Sequence, residues 1–148
     1  MVILLNPRGG VVVFEVEKTI KYWLDGAAYD LETGRSLLES RRFPYALFFG
    51  HLSLEKLLKA LVVKATQEHA PYTHSLALLA SKTNLEIPES ILDQLAEFME
   101  FHLESRYPDD RKEFYEKCTE EFAHQKFKEM EDVYQWLIRE FKISFQGM

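Results

Sequence analysis

Between residues 17 and 40 the apolar positions Ile20, Leu24, Ala27, Ala28, Leu31 and Leu38 return at helical spacing, with acids and bases on the opposite face. The pattern predicts an amphipathic first helix. Pro44 then stands where a second helix can begin, since proline is tolerated in a first turn. From Tyr45 to about residue 66 that helix is apolar on most sides, as a helix central to a bundle must be. Pro71 marks a loop, and His74-Ser75-Leu76 opens a short helix that runs to about Ser81. Pro88 starts another, with Ile91, Leu95 and Phe98 on one face, and Pro108 ends it near Arg106 by pushing Tyr107 out of helical conformation. Residues 109–117 are charged and read as irregular. Thr119 fits as the N-cap of a last helix whose stripe is Phe122, Phe127, Met130, Val133, Tyr134, Leu137, Ile138 and Phe141. The expected fold class is all-α, an up-and-down bundle of four long helices with one short helix inserted.

Composition supports one folded domain. With 148 residues, 47% hydrophobic and 28% charged, the chain can bury a core without covalent staples. The bundle is expected over residues 17–143 and a tail over 144–148. Residues 1–16 are an appendage, either disordered or carrying a short strand at Val11-Val12-Val13-Phe14. The apolar start, Met1 to Leu5, is cut by Asn6, Pro7, Arg8, Gly9 and Gly10 well short of a signal sequence, and no later run is long enough to span a membrane. A net charge of −6 disfavours a broad grip on DNA but leaves room for a local basic pocket. Cys118 is the single cysteine, so neither an internal disulfide nor a cysteine zinc site can form, which suits a reducing cytoplasm. Glu116, Glu120 and Glu121 disfavour its thiolate, and a buried, inert thiol is expected.

Several chemical signatures are missing. There is no phosphate loop, no His-Glu-x-x-His and no EF-hand loop, and acids and histidines converging from four helices, as a di-metal bundle needs, are not read here. No cofactor and no metal are expected. Three groups remain. His51, Glu55 and Lys59 recur every fourth residue on the apolar second helix. They read either as an internal Glu55–Lys59 salt bridge or as a polar groove where Lys59 meets a phosphate. His102 continues the apolar line Ile91, Leu95, Phe98, with Arg106 one turn on, beside Tyr107 and Asp109. Structurally this pair is a hydrogen-bonded core histidine and a cation at a helix C-terminus. Functionally it is an imidazole that moves a proton beside a guanidinium that grips phosphate. His74, at a helix start, either caps the turn or helps the backbone amides hold an anion. His69 and His124 carry no signal.

The order of these segments resembles a HEPN domain (higher eukaryotes and prokaryotes nucleotide-binding). The resemblance rests on Tyr22-Trp23-Leu24 and Ala28-x-Asp30-Leu31, then the unbroken run from Tyr45-Ala46-Leu47 to Lys59-Ala60-Leu61. His74-Ser75-Leu76, Ser105-Arg106-Tyr107-Pro108-Asp109 and Tyr134-x-Trp136-Leu137 follow in order, so it covers about residues 17 to 141. It implies a helical bundle that pairs into a homodimer and, in prokaryotes, works with a minimal nucleotidyltransferase, often as a toxin–antitoxin pair. Many such proteins are metal-independent ribonucleases carrying an Arg followed, four to six residues on, by a His. Here that spacing after Arg106 reaches Arg111 and Lys112, and the histidine comes first, at His102.

The leading expectation is therefore a non-catalytic, cytoplasmic HEPN protein that binds a nucleotide or RNA beside a nucleotidyltransferase. Arg106 and Lys59 would hold phosphate, Tyr107 would stack, and His102, Glu55, His51, His74 and Asp109 would position the ligand. One alternative is a metal-independent endoribonuclease toxin using Arg106 and His102. The other is a dimerising scaffold with no ligand.

Overall fold

The computed structural model describes the backbone at residues 2–5 and 11–146 and side chains from residue 14 to 143. Two strands open the chain, β1 (Val2–Leu5) and β2 (Val11–Phe14), paired antiparallel with Val2 opposite Phe14. β2 occupies the Val11-Val12-Val13-Phe14 run. Residues 6–10 of the appendage lie outside the described residues, as do 147 and 148. Phe14 anchors this end of the hairpin in a small cluster with Val16, Ile20, Ala60 and Val63.

Six helices follow: α1 (Val16–Glu39), α2 (Phe43–Thr66), α3 (Leu76–Ser81), α4 (Glu89–Phe98), α5 (Pro108–Lys117) and α6 (Glu120–Gln146). The short link through Arg41, which adopts φ 66°, folds α1 back along α2 as a helical hairpin. α2 buries sixteen residues, from Phe43 to Val63, because α1, α3, α6 and the segment after α4 all rest on it. α6 contributes Ala123, Phe127, Met130, Val133 and Leu137, all buried. Ion pairs tie the layers at their edges: Lys56 on α2 with Asp30 on α1 at 2.7 Å, and Arg35 on α1 with Glu131 on α6 at 2.8 Å.

Two boundaries differ from the sequence pattern. The helix begun at Pro88 stops at Phe98, not near Arg106, and continues as two 3-10 turns, Met99–Phe101 and Leu103–Ser105, with His102 extended between them. Phe98, Phe101, His102 and Leu103 are all buried, and one continuous helix cannot turn that set inward on a single face, so the chain unwinds. Residues 108–117, expected to be irregular, form α5. Its single deeply buried side chain, Phe114, stacks near Phe101 with ring centroids 5.6 Å apart, and Pro108 stands in its first turn. Tertiary anchoring thus makes a helix of a segment whose own pattern is too polar to show one. The last helix also runs past the expected end at 143 to Gln146. Thr119 caps it as expected, its Oγ1 accepting from the Phe122 amide at 3.2 Å.

Close approach of α1, α2 and α6 depends on glycine. A Cβ at Gly34 would stand 2.7 Å from the Phe127 ring and 3.3 Å from the Ala46 carbonyl oxygen. At Gly26, also in α1, it would meet only the pliable Lys56 side chain, at 3.1 Å. Gly34→Ala is therefore expected to destabilise the fold by about 1–3 kcal/mol despite the better helix propensity of alanine. Gly26→Ala should be neutral or stabilising by up to about 1 kcal/mol. Urea denaturation of both variants checks the contrast, and equal losses would refute it.

Candidate functional site

The polar stripe of α2 is built into the interior. His51, Glu55 and Lys59 are 0%, 4% and 6% exposed, one turn apart along a helix otherwise packed with leucine and valine. Glu55 is the hub. Its Oε2 lies 3.2 Å from Lys59 Nζ, and its Oε1 lies 2.9 Å from Nδ1 of His74 and 4.0 Å from Nδ1 of His51. Trp23 of α1 closes the far end, with the Lys59 ammonium 5.0 Å from its ring centroid. Lys59 is thus satisfied by a carboxylate and an aromatic face and is not presented to a phosphate.

Two elements supply the other wall. His74 precedes α3, whose cap is Ser75: its Oγ accepts from the Leu78 amide at 3.1 Å. His74 is therefore neither the cap nor, ahead of a helix of six residues, part of an anion-binding terminus. It is the half-exposed lid of the Glu55 carboxylate. His102 comes from the extended residue between the 3-10 turns. Its ring centroid lies 4.3 Å from that of His74, 5.0 Å from His51 and 5.3 Å from Phe48. The unwinding after Phe98 is what turns His102 toward α2.

Burial sets the charge state. Removal from water, then the neighbouring His102 and His74, drives the His51 pKa from 6.5 to about 3. Burial followed by His74 also lowers that of His102, with Glu55 opposing. Both rings are neutral near pH 7. All four of their ring nitrogens are buried without a hydrogen bond of normal geometry to a protein atom.

Arg106, Tyr107 and Asp109 do not join this cluster in any contact among the described residues. The Nε of Arg106 donates to the Glu100 carbonyl at 2.6 Å, and its guanidinium lies over the Phe114 ring at 5.0 Å. It braces the unwound segment and does not continue a helix beyond His102. Tyr107 is the 79% exposed residue before α5, and Asp109 sits in the first turn of α5. Cys118 is buried, as expected, and desolvation pushes its thiol up to about 12.

No metal-ligand set is visible in the sequence pattern, yet one of Nδ1 or Nε2 of His51 and of His102 and a carboxylate oxygen of Glu55 lie within 4.8 Å of one another. The His51–Glu55 spacing of four was a visible half of this triad. The His102 half was not, because it depends on the unwound segment. A Glu-x-x-His spacing also occurs at Glu121 and His124, but both are exposed at the start of α6, where His124 lies against Phe43.

A histidine held neutral by the fold costs stability once the unfolded chain can bind its proton. The folded pKa of His51 is depressed, so its contribution is intact above about pH 6.5 and is lost as pH falls from there toward 3. Glu55, Lys59, His74 and His102 face the same ring, so the comparison must be with a variant. In a chelating buffer, the wild-type unfolding free energy should decline more steeply than that of His51→Gln, by up to about 1.4 kcal/mol per pH unit below pH 6. Parallel profiles from urea titrations at pH 7, 5.5 and 4.5 would refute a neutral, buried His51.

A family model and two solved structures are similar to this chain. A family model described as the HEPN domain matches residues 20–141. The crystal structure of TT1696 from Thermus thermophilus is similar at 17% identity, with 81% of this chain and 96% of that chain covered and a TM-score of 0.68. ST0689, described as an archaeal HEPN homologue, is similar at 21% identity, with coverage of 86% and 98% and a TM-score of 0.61. Among curated proteins, none matches at significance. Because the family model spans most of its length, the chain belongs to the HEPN domain family.

Proposed function

We propose that this chain is a binding subunit and not a nuclease: a cytoplasmic HEPN protein that pairs with a second copy of itself, takes a nucleotide or an RNA end, and works beside a minimal nucleotidyltransferase. The observation that carries this reading is the separation of His102 from Arg106. A metal-independent ribonuclease of this family would need an imidazole and a guanidinium converging on one phosphate. Here the imidazole is buried against His51 and His74, whereas the Arg106 guanidinium lies over the Phe114 ring with its Nε on the Glu100 carbonyl, and the two groups share no contact among the described residues.

The ligand belongs on α5. An open depression of about 560 Å³ is lined by Pro108, Arg111, Lys112, Tyr115 and Glu116, with the exposed Tyr107 just ahead of it. Arg111 is held in place by donating from Nε to the Leu103 carbonyl at 3.1 Å, which leaves its terminal nitrogens for an anion. Lys112 makes no ion pair among the described residues and is exposed. Tyr115, edge-on to the Tyr45 ring at 6.4 Å between centroids, and Tyr107 offer ring faces on which a base stacks. Asp109 and Asp110 repel phosphate from the first turn of α5, so the charge pattern directs it one turn on, to Arg111 and Lys112. Of the residues first singled out for phosphate, Arg106 lies beside this surface in sequence and Lys59 is withdrawn from it.

Fluorescence polarisation of a labelled oligoribonucleotide tests the reading. Wild type should bind with strong salt dependence, and Lys112→Glu should bind about tenfold more weakly with unchanged thermal stability. The same RNA should remain intact in the presence of chelator. Cleavage that vanishes in Arg106→Ala would replace this proposal with the ribonuclease reading, and equal affinity of wild type and Lys112→Glu would remove α5 as the site.

A further inference from the structure

The four orphaned nitrogens of His51 and His102 have no role in ligand binding at α5. Buried polar atoms without partners are rare, and each costs desolvation without return. Two such rings face the same glutamate, which is buried too. We propose that His51, Glu55 and His102 bind one divalent first-row transition-metal ion, Zn²⁺ above all, with water in the remaining position and His74 holding the glutamate from the solvent side.

The donor set fits that ion. Two imidazoles and a carboxylate suit zinc and its neighbours, whereas Mg²⁺ and Ca²⁺ prefer oxygen ligands. Donor atoms within 4.8 Å of one another need only modest ring rotation to reach the separation of about 3.4 Å that tetrahedral bonds of about 2.0–2.1 Å require. The ligands come from two rigid anchors: α2 supplies His51 and Glu55 one turn apart, and the braced 3-10 segment supplies His102.

The surroundings support it as well. Lys59 holds Oε2 of Glu55 and so presents Oε1, the oxygen nearer the histidines, as an outer partner does for a ligating carboxylate. His74 bonds Oε1 through Nδ1, and its side chain is 47% exposed, which makes it an outer partner of the carboxylate and marks the entry path. The Lys59 cation opposes a second cation nearby, so the site should bind more weakly than one whose carboxylate is unpaired.

The test uses the full chain, stripped with chelator and titrated with Zn²⁺ against a chromophoric competitor. The expected result is one ion per chain and a rise in melting temperature, with Co²⁺ giving the intense visible bands of a tetrahedral site. In His102→Gln the affinity should fall about 100-fold or more, while His69→Gln and His124→Gln, whose rings lie elsewhere, should bind as wild type does. Because a core variant can fail to fold, the second readout is the wild-type protein itself, labelled with ¹⁵N-histidine. Zinc should move the ring signals of His51, His74 and His102 and leave those of His69 and His124 in place. No stoichiometric binding, binding that survives His102→Gln, or shifts confined to His69 or His124 would overturn the proposal.

Discussion

α2 is enclosed on most sides, and two of its four charged residues, Glu55 and Lys59, stand where no water reaches them. Glu55 and Lys59 are both buried, so each must find its partner inside the protein or the fold pays the full cost of desolvating it. They find each other, one turn apart. Removing either member of such a pair characteristically costs about 3–5 kcal/mol, because the survivor is left charged and alone. This constraint extends outward. Trp23 must lie over the ammonium, His74 must reach the carboxylate, and the segment after α4 must come close enough to keep bulk water out. The positions of α1, of the loop before α3 and of the 3-10 turns are in that sense consequences of where α2 put its charges.

The same enclosure accounts for the unwinding at Phe98. A regular helix through residue 105 would carry Phe101 and Leu103 on faces about 160° apart, and one of them would leave the core. Two 3-10 turns with an extended His102 between them bury both, and they bury the histidine ring against α2 as well. The unwound backbone has carbonyls with no helical partner, and two arginines from beyond it serve as donors: Arg106 to Glu100 and Arg111 to Leu103. Arg106 thereby braces the unwound backbone, and among the described residues its side chain makes no contact with His102, its neighbour one helical turn back in sequence.

These particulars show what the amino-acid order could and could not reveal. The α1, α2 and α6 faces were legible because their apolar positions repeat with helical period over many turns, and the α2 stripe stood out as polar residues on an apolar ground. The Thr119 cap and the buried Cys118 were legible for equally local reasons. α5 was not, since one buried phenylalanine, Phe114, anchors ten mostly charged residues and leaves no periodicity to detect. Nor was the approach of His102 to His51 and His74. Their contact depends on helix α4 failing at a point where its own pattern continues, and that failure is decided by competition among Phe98, Phe101 and Leu103 for one core.

Helical period, extended past its true end, aligned His102 with Arg106 and suggested an active pair. The folded backbone places the histidine with two others around a glutamate and leaves the arginine to brace a carbonyl. The net result is a division of labour between two regions. Inside lies an imidazole cluster around one charge-paired carboxylate, with the pKa values of His51 and His102 lowered by burial. Outside lies α5, polar, lightly anchored and carrying the cations a phosphate would meet. At the inner cluster, burial lowers the pKa of both His51 and His102, which weakens either ring as a proton carrier near pH 7. A phosphate at α5, on the proposed reading, would meet its cations in water, where salt screens the attraction. The two regions share the His102–Arg111 stretch of backbone, so a ligand on one side and an ion on the other would act on the same set of 3-10 turns.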